Sequence, residues 1–370
     1  MADRRSNPNA PLRRGALLSL LLAGLILLAP LCSPSGAAVP SSDPKDLERE
    51  IKIGDQVSKE VEERFRLVSD PVVLSRLDAI VARLEKGVLR PMPYRFKVVE
   101  ERWPNAFALP GGRCYVTTGL LDLLRSDSEL AAIMAHEMVH ADRAHGIIQA
   151  ARNQRLSLVS LGIALATRGH GAAMILSNVA QVAIMNQYSK DLEREADLEG
   201  LNLMIEAGYD PSGMVTALEK LLDHQIRRPQ VDLGVYMSHP ELRDRIDYVT
   251  RSMEKKGLKV SRRGPLGVLR LSLRRSDDSV ELWMDRVKLI SAPPSMEPVL
   301  RRLSQSLDRT IRFETMPQDV LVSPDGGLWV DGVRVLTSSE LPEANLDSLR
   351  DALVKSLSEA RSRHPLAKIY

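Results

Sequence analysis

From residue 45 to about 67 the apolar positions Leu47, Ile51, Ile53, Val57 and Val61 recur among charged neighbours, a spacing that predicts an amphipathic helix. A second helix is expected over 70–86, with Asp70-Pro71 supplying its cap and first turn. The texture then changes. Residues 94–99 alternate like a strand, 105–109 form a second short strand stopped by Pro110-Gly111-Gly112, and 113–118 resume extended character. Together they predict a small sheet placed before a helix that opens at Ser126-Asp127-Ser128-Glu129, a good capping region.

Beyond that helix, residues 156–167 and 172–185 are strongly apolar and are separated by Arg168-Gly169-His170-Gly171. Each run is shorter than the ~20 residues of a membrane span. They read as buried helices or a mobile hairpin over the site, with a membrane-touching element as the lesser option. Further helices are expected over 190–207, ended by Gly208, from Asp210-Pro211 onward, and from Ser238-His239-Pro240 to about 255. Arg262-Arg263-Gly264-Pro265 reads as a domain junction. Past it, 268–273, 280–283, 310–313 and 328–335 read as strands, with helices near 297–307 and 345–361. No repeat is evident in this tail, which argues against a tetratricopeptide array.

A chain of 370 residues makes two domains the default expectation. Aromatic residues are only 4%, so Leu, Val, Ile and Met must fill the core. The formal charge of +3 resides in the first segment, where Arg4, Arg5, Arg13 and Arg14 face Asp3 alone. The remainder is balanced, which sets nucleic acid aside as a partner. The same arginines precede an apolar run over 16–31 and the small residues Ser35-Gly36-Ala37-Ala38, the layout of an export signal cleaved after Ala38. An uncleaved anchor, or lipidation at Cys32, is the alternative for residues 1–38. Removal of that leader leaves Cys114 as the remaining cysteine, expected as a small buried side chain, so stability must come from the core and the chain's size, with a metal as a further candidate.

The metal has a candidate address. His136-Glu137-Met138-Val139-His140 puts two imidazoles four residues apart, on one side of a helix and near enough to share an ion. Glu137 projects beside that face as a base for water. Catalytic zinc takes three protein ligands and keeps one position open. His145 is the nearest further histidine, but on a continuing helix it lies about 180° around from His136, so it is read as structural or as a support behind the ligands. Glu193 and Asp197 are four apart in Tyr188-Ser-Lys-Asp-Leu-Glu-Arg-Glu-Ala-Asp197, so one can bind metal while the other orients a histidine. Glu195 points about 200° away from Glu193. Standing alone, such an acidic run is ordinarily a solvated helix face.

These landmarks, with Asn105-Ala-Phe-Ala-Leu-Pro-Gly-Gly112 before them and Ser238-His-Pro240 with Arg245 after them, stand in the order found in the M48 family of zinc peptidases, to which the Ste24, HtpX and BepA proteases belong. The sequence resembles that family from residue 45 to about 255. The resemblance implies a zincin of gluzincin type, with His136, His140 and Glu193 as ligands of one Zn²⁺, Glu137 as base and Asp197 behind a ligand. It implies that the strand carrying Asn105, Ala106 and Phe107 lines the cleft and pairs with an extended substrate. In some members the histidine matching His239 approaches the metal and holds the enzyme latent; read locally, Ser-His-Pro is a turn with a loop histidine. Arg245 is a candidate for stabilising a carboxylate or an oxyanion, against the plainer reading of a helix salt bridge. Lys190 stands where the family commonly has Arg, and the apolar runs over 156–185 are too short for the membrane spans of the Ste24 and HtpX types.

The expected fold is α+β: a mainly helical peptidase domain with a small sheet over 39–260, then a C-terminal α+β domain over 261–370. The expected protein is a periplasmic zinc endopeptidase, soluble or attached to the membrane through its N-terminus, that cleaves unfolded or misassembled envelope proteins. The rival is an envelope assembly or chaperone factor whose zinc site is latent.

Overall fold

The computed structural model describes residues 43–155, 170–185, 187–227 and 242–364. The leader over 1–38 with Cys32, the first apolar run over 156–167, and Ser238-His239-Pro240 lie outside the described residues.

Helix α1 (Pro44–Arg64) starts at Asp43, whose carboxylate accepts from the Lys45 amide, and buries the predicted stripe through Leu47, Val57 and Val61. A two-residue strand, β1 (Leu67–Val68), leads into α2 (Pro71–Leu84), capped by Asp70. Then come β2 (Arg95–Val99), β3 (Ala106–Leu109) and β4 (Arg113–Thr117), followed by the short α3 (Thr118–Leu123). The sheet runs β1-β2-β4-β3, with β2 and β4 parallel and β3 antiparallel to β4. β3 therefore ends the sheet.

Helix α4 (Asp127–Asp142) follows Ser126, whose hydroxyl accepts from the Glu129 amide, and two acidic residues in its first turn suit the helix dipole. From Glu129 onward it is buried on every side, so no single apolar stripe marks it. It ends where Ala144 turns left-handed at φ 52°, and α5 (His145–Asn153) starts in a new direction. The helical projection that set His145 aside fails for this reason: the helix stops before His145 is reached. Helix α6 (His170–Ile184) is followed by α7 (Lys190–Glu206), which ends before Gly208 at φ 71°. Helices α8 (Ser212–Arg227) and α9 (Leu242–Lys255) complete this part. The chain is thus mainly helical here, with one small sheet.

Arg262 is no loose junction. Its guanidinium meets the buried Glu219 of α8 at 2.6 Å and also pairs with Glu314 of the tail. One apolar core continues from α2 and α4 into the tail.

After α10 (Arg263–Leu266), the tail forms β5 (Leu271–Arg275), β6 (Val280–Met284) and β7 (Val287–Ala292), then α11 (Glu297–Thr310). It then forms β8 (Val320–Val322), β9 (Gly327–Val330) and β10 (Val333–Thr337), then α12 (Leu346–Arg363). Two expectations are corrected. Residues 310–313 form no strand: Ile311 and Phe313 alternate into the core while the chain leaves α11. The stretch 328–335 is two strands around a turn at Asp331-Gly332, both with positive φ.

The tail also repeats. Leu282-Trp283-Met284-Asp285-Arg286-Val287 is answered by Leu328-Trp329-Val330-Asp331-Gly332-Val333. Each copy is a three-stranded antiparallel meander followed by a helix. Each aspartate takes the left-handed turn position, and each tryptophan lies under an arginine, Arg274 at 4.0 Å and Arg334 at 5.8 Å. The helices interleave, α11 reaching β10 of the second copy and α12 reaching β7 of the first. The expectation of a tail without a repeat is overturned; the sequence match is confined to this one hairpin, and the flanking strands align through their shared topology. A tetratricopeptide unit is a helix pair, unlike these strand-built units.

Candidate metal centre

Helix α4 supplies His136 and His140 from one face, and α7 lies across it. The close approach is made at Gly200, where a Cβ would stand only 3.1 Å from the His136 amide nitrogen. Glu193, Asp197 and Gly200 share one side of α7 by helical period, so the glycine's lack of a side chain brings both carboxylates onto the histidines.

The imidazoles meet through Nε2 atoms 3.0 Å apart, and Glu193 places its oxygens 3.5 Å from His140 Nε2 and 3.7 Å from His136 Nε2. Ligands held at 2.0–2.1 Å around tetrahedral zinc are separated by about 3.3–3.4 Å. The observed triangle brackets that value, and all three residues are buried.

Protonation follows from what stands behind each ring. His136 Nδ1 lies 2.9 Å from Asp197 Oδ1, so that nitrogen donates and Nε2 is left bare. His140 Nδ1 lies 2.9 Å from His145 Nδ1, and His145 Nε2 faces Glu195 at 3.7 Å. A proton on the His140 side of that contact leaves its Nε2 bare as well. With both rings in that tautomer the two Nε2 lone pairs and the Glu193 carboxylate converge on one point, a donor set that fits a divalent metal. Burial and the neighbouring His136 and His145 push His140 down to about 3, which keeps the ring neutral as a ligand must be. Burial disfavours charge on His136 too, but the Asp197 carboxylate outweighs it and raises that ring.

Asp197 is fully buried and held by Arg245, whose Nε and Nη2 reach its oxygens at 2.8 and 2.6 Å, and by the Tyr248 hydroxyl. Burial alone would raise its carboxyl; Arg245 and His136 prevail and hold it far below the usual range. Arg245 Nη1 also reaches Glu193 Oε2 at 3.1 Å. The salt bridge considered for Arg245 therefore joins α9 to α7 rather than running within one helix, and its guanidinium is spent on these two carboxylates.

Glu137 points to the other side. It accepts from the Ala108 amide of β3, while its Oε2 is buried with no hydrogen-bond partner among the described residues. Burial lifts its carboxyl to about 7. Asn105 and Ala106 line a cavity that reaches Glu137 and His136. Phe107 does not: strand alternation sends its ring to the opposite face, stacked on Tyr115 at 5.0 Å beside Val57 and Ala183.

Several supporting residues escaped sequence reasoning. Tyr188 lies flat on His140 at 3.9 Å and fixes its ring plane. Glu195, turned away from Glu193 as expected, meets His145 and Arg143 instead. Arg90 is buried and donates to the Ala141 and Asp142 carbonyls at the end of α4, while Glu50 of α1 takes its other nitrogens. Helix position near the histidines could have flagged Tyr188 and Glu195; nothing local flags Arg90 or Glu50.

Residues 73–252 match the model of Peptidase family M48. The chain is 27% identical over 241 residues to the β-barrel assembly-enhancing protease of Escherichia coli K12, covering 60% of this chain and 49% of that protein. It therefore spans about half the length of that relative. It is 26% identical over 212 residues to metalloprotease LoiP of the same organism, covering 56% of this chain and 81% of LoiP. Against the mitochondrial metalloendopeptidase OMA1 of Schizosaccharomyces pombe it is 30% identical over 156 residues, with 42% of this chain and 45% of that protein covered.

Proposed function

Residues 73–252 belong to peptidase family M48, a family of metallopeptidases, and from that premise we propose that the chain is a zinc endopeptidase of the cell envelope acting on unfolded or misassembled polypeptides. The observation that carries this reading is the buried triangle of His136, His140 and Glu193, whose two Nε2 atoms and carboxylate converge at the spacing of metal ligands. In this reading residues 39–260 are a gluzincin-type peptidase domain and 261–370 a second domain of unassigned task. His136, His140 and Glu193 hold the metal, and Asp197 with His145 orients the two rings.

Bound zinc would supply Lewis-acid polarisation of the scissile carbonyl. The protein's own groups do the rest. Glu137, at about 7, is balanced between its two protonation states near neutral pH. Its unpartnered oxygen takes a proton from the attacking water and returns it to the leaving amine. β3 ends its sheet, so an extended chain can add along it and bring a peptide bond to Glu137. Arg245 pairs with Glu193 and Asp197 and holds both in place.

The envelope placement rests on the export-type leader and on the name of the assembly-enhancing relative. No described helix is long and apolar enough to cross a membrane. The words assembly-enhancing in that relative's name suggest a second reading, an envelope assembly or chaperone factor whose zinc site is latent. The test is digestion of an unfolded protein by zinc-loaded enzyme beside Glu137→Gln. Cleavage lost by at least about 10²-fold in the variant, with zinc retained, supports the endopeptidase. No cleavage by the zinc-loaded parent favours the assembly factor.

A further inference from the structure

Beside Glu137 a cavity of about 40 Å³ opens between β3 and the helices. Its walls come from separate elements: Ala106 on β3, Leu120 on α3, Ile133 on α4, Leu221 on α8 and Leu242 on α9. Leu120, Ile133 and Leu242 are buried, and Ile133 stands one turn before Glu137 on the same helix face. An apolar cavity that reaches a catalytic carboxylate has a side chain of the substrate as its natural occupant, because side chains of an extended peptide added along β3 alternate across the strand.

We infer that this cavity is a specificity pocket for a compact aliphatic side chain, Ala or Val, on a residue flanking the scissile bond. The inference rests on the endopeptidase reading for its use in cleavage. One water-sized group needs roughly 10–15 Å³ of such space, so about three heavy atoms fit. Val fills that volume and Ala leaves part of it. Phe, Tyr and Trp exceed it, and overfilling a packed apolar site is costly. An acidic side chain is refused because it would be buried beside the Glu137 carboxylate. Arg245 also touches the cavity, but its guanidinium is held by Asp197 and Glu193 and is not offered to the guest.

Leu221 is the wall to alter, since it is half-buried and its truncation disturbs the core least. Cleavage sites in an unfolded protein are mapped by mass spectrometry for the zinc-loaded parent, Leu221→Ala and Leu221→Phe, with zinc content and Tm as folding checks. In parallel, an unstructured Ser-Gly peptide with a single guest residue is titrated onto Glu137→Gln, which keeps the cavity and removes the chemistry. The parent is expected to favour Ala or Val over Phe beside the cut by about 10-fold or more in kcat/KM. Leu221→Ala should raise cutting beside Phe by about 10-fold, and Leu221→Phe should lower cutting beside Val relative to Ala. The guest peptides should bind Glu137→Gln in the order Val, then Phe. Identical site preferences in all three proteins, or equal binding of Val and Phe guests, would overturn the pocket. Absence of cleavage with the binding order intact sinks the endopeptidase reading and leaves the pocket standing.

Discussion

Replacing Glu193 by Gln preserves shape and removes one charge from a buried triangle of ligand atoms. Structural zinc sites with four ligands bind with about 10–16 kcal/mol, so one ligand carries roughly 3–4 kcal/mol, or about 10²–10³-fold in affinity. Arg245 adds to the loss: its Nη1 lies 3.1 Å from Glu193 Oε2, and without that carboxylate its charge faces the dication less well compensated. Asp197→Asn acts through the His136 ring alone, and groups behind ligands cost about 10–100-fold when removed. Glu195→Gln acts two contacts away, through His145, and should cost only a few-fold. The expected order of zinc affinity is therefore parent, Glu195→Gln, Asp197→Asn, Glu193→Gln. Competition with a chromophoric chelator, backed by elemental analysis and thermal melting, measures it. A folded Glu193→Gln protein that binds zinc within about 3-fold of the parent would refute the assignment, and so would Glu195→Gln falling below Asp197→Asn.

Three further outcomes follow from the packing. Asp197 has a depressed carboxyl, so its stabilisation is complete above the ordinary aspartate value of about 4 and is lost as pH falls toward its own lower value. Urea melts of metal-free parent and Asp197→Asn should show a stability gap at pH 5 that narrows steadily below pH 4; a constant gap down to pH 3 contradicts the sign. Glu50→Gln leaves the buried Arg90 without its charge partner, and breaking such a pair costs about 3–5 kcal/mol, read by denaturant unfolding. Gly200→Val places carbon against the His136 backbone and should push α7 from α4, with about 1–3 kcal/mol of destabilisation and weakened zinc binding; unchanged affinity would show that the helices have slack.

The sequence is legible where the physics is local. The turn of a helix sets His136 beside His140 and Glu193 beside Asp197, whatever the rest of the chain does. Strand alternation similarly marked β2, β3 and β4, and capping residues marked α2 and α4. Local reasoning failed where a single backbone torsion intervened. Ala144 at φ 52° ends α4 and turns His145 back onto His140, which no period of 3.6 residues foresees. The repeat in the tail is hidden because its two copies match in sequence over one hairpin alone.

The chain's own order of residues therefore determined the donor groups on each helix: two imidazoles, a glutamate between them, and a pair of carboxylates one turn apart. Only the tertiary structure decided that these helices meet. Gly200 permits the contact, Asp197 and His145 stand behind the two rings, Tyr188 fixes a ring plane, and Arg245 ties two buried carboxylates together. Arg90 and Glu50, distant in sequence, close the end of α4. The physical reason is that a helix dictates neighbours three and four residues apart, whereas a buried charge finds its partner wherever packing brings one.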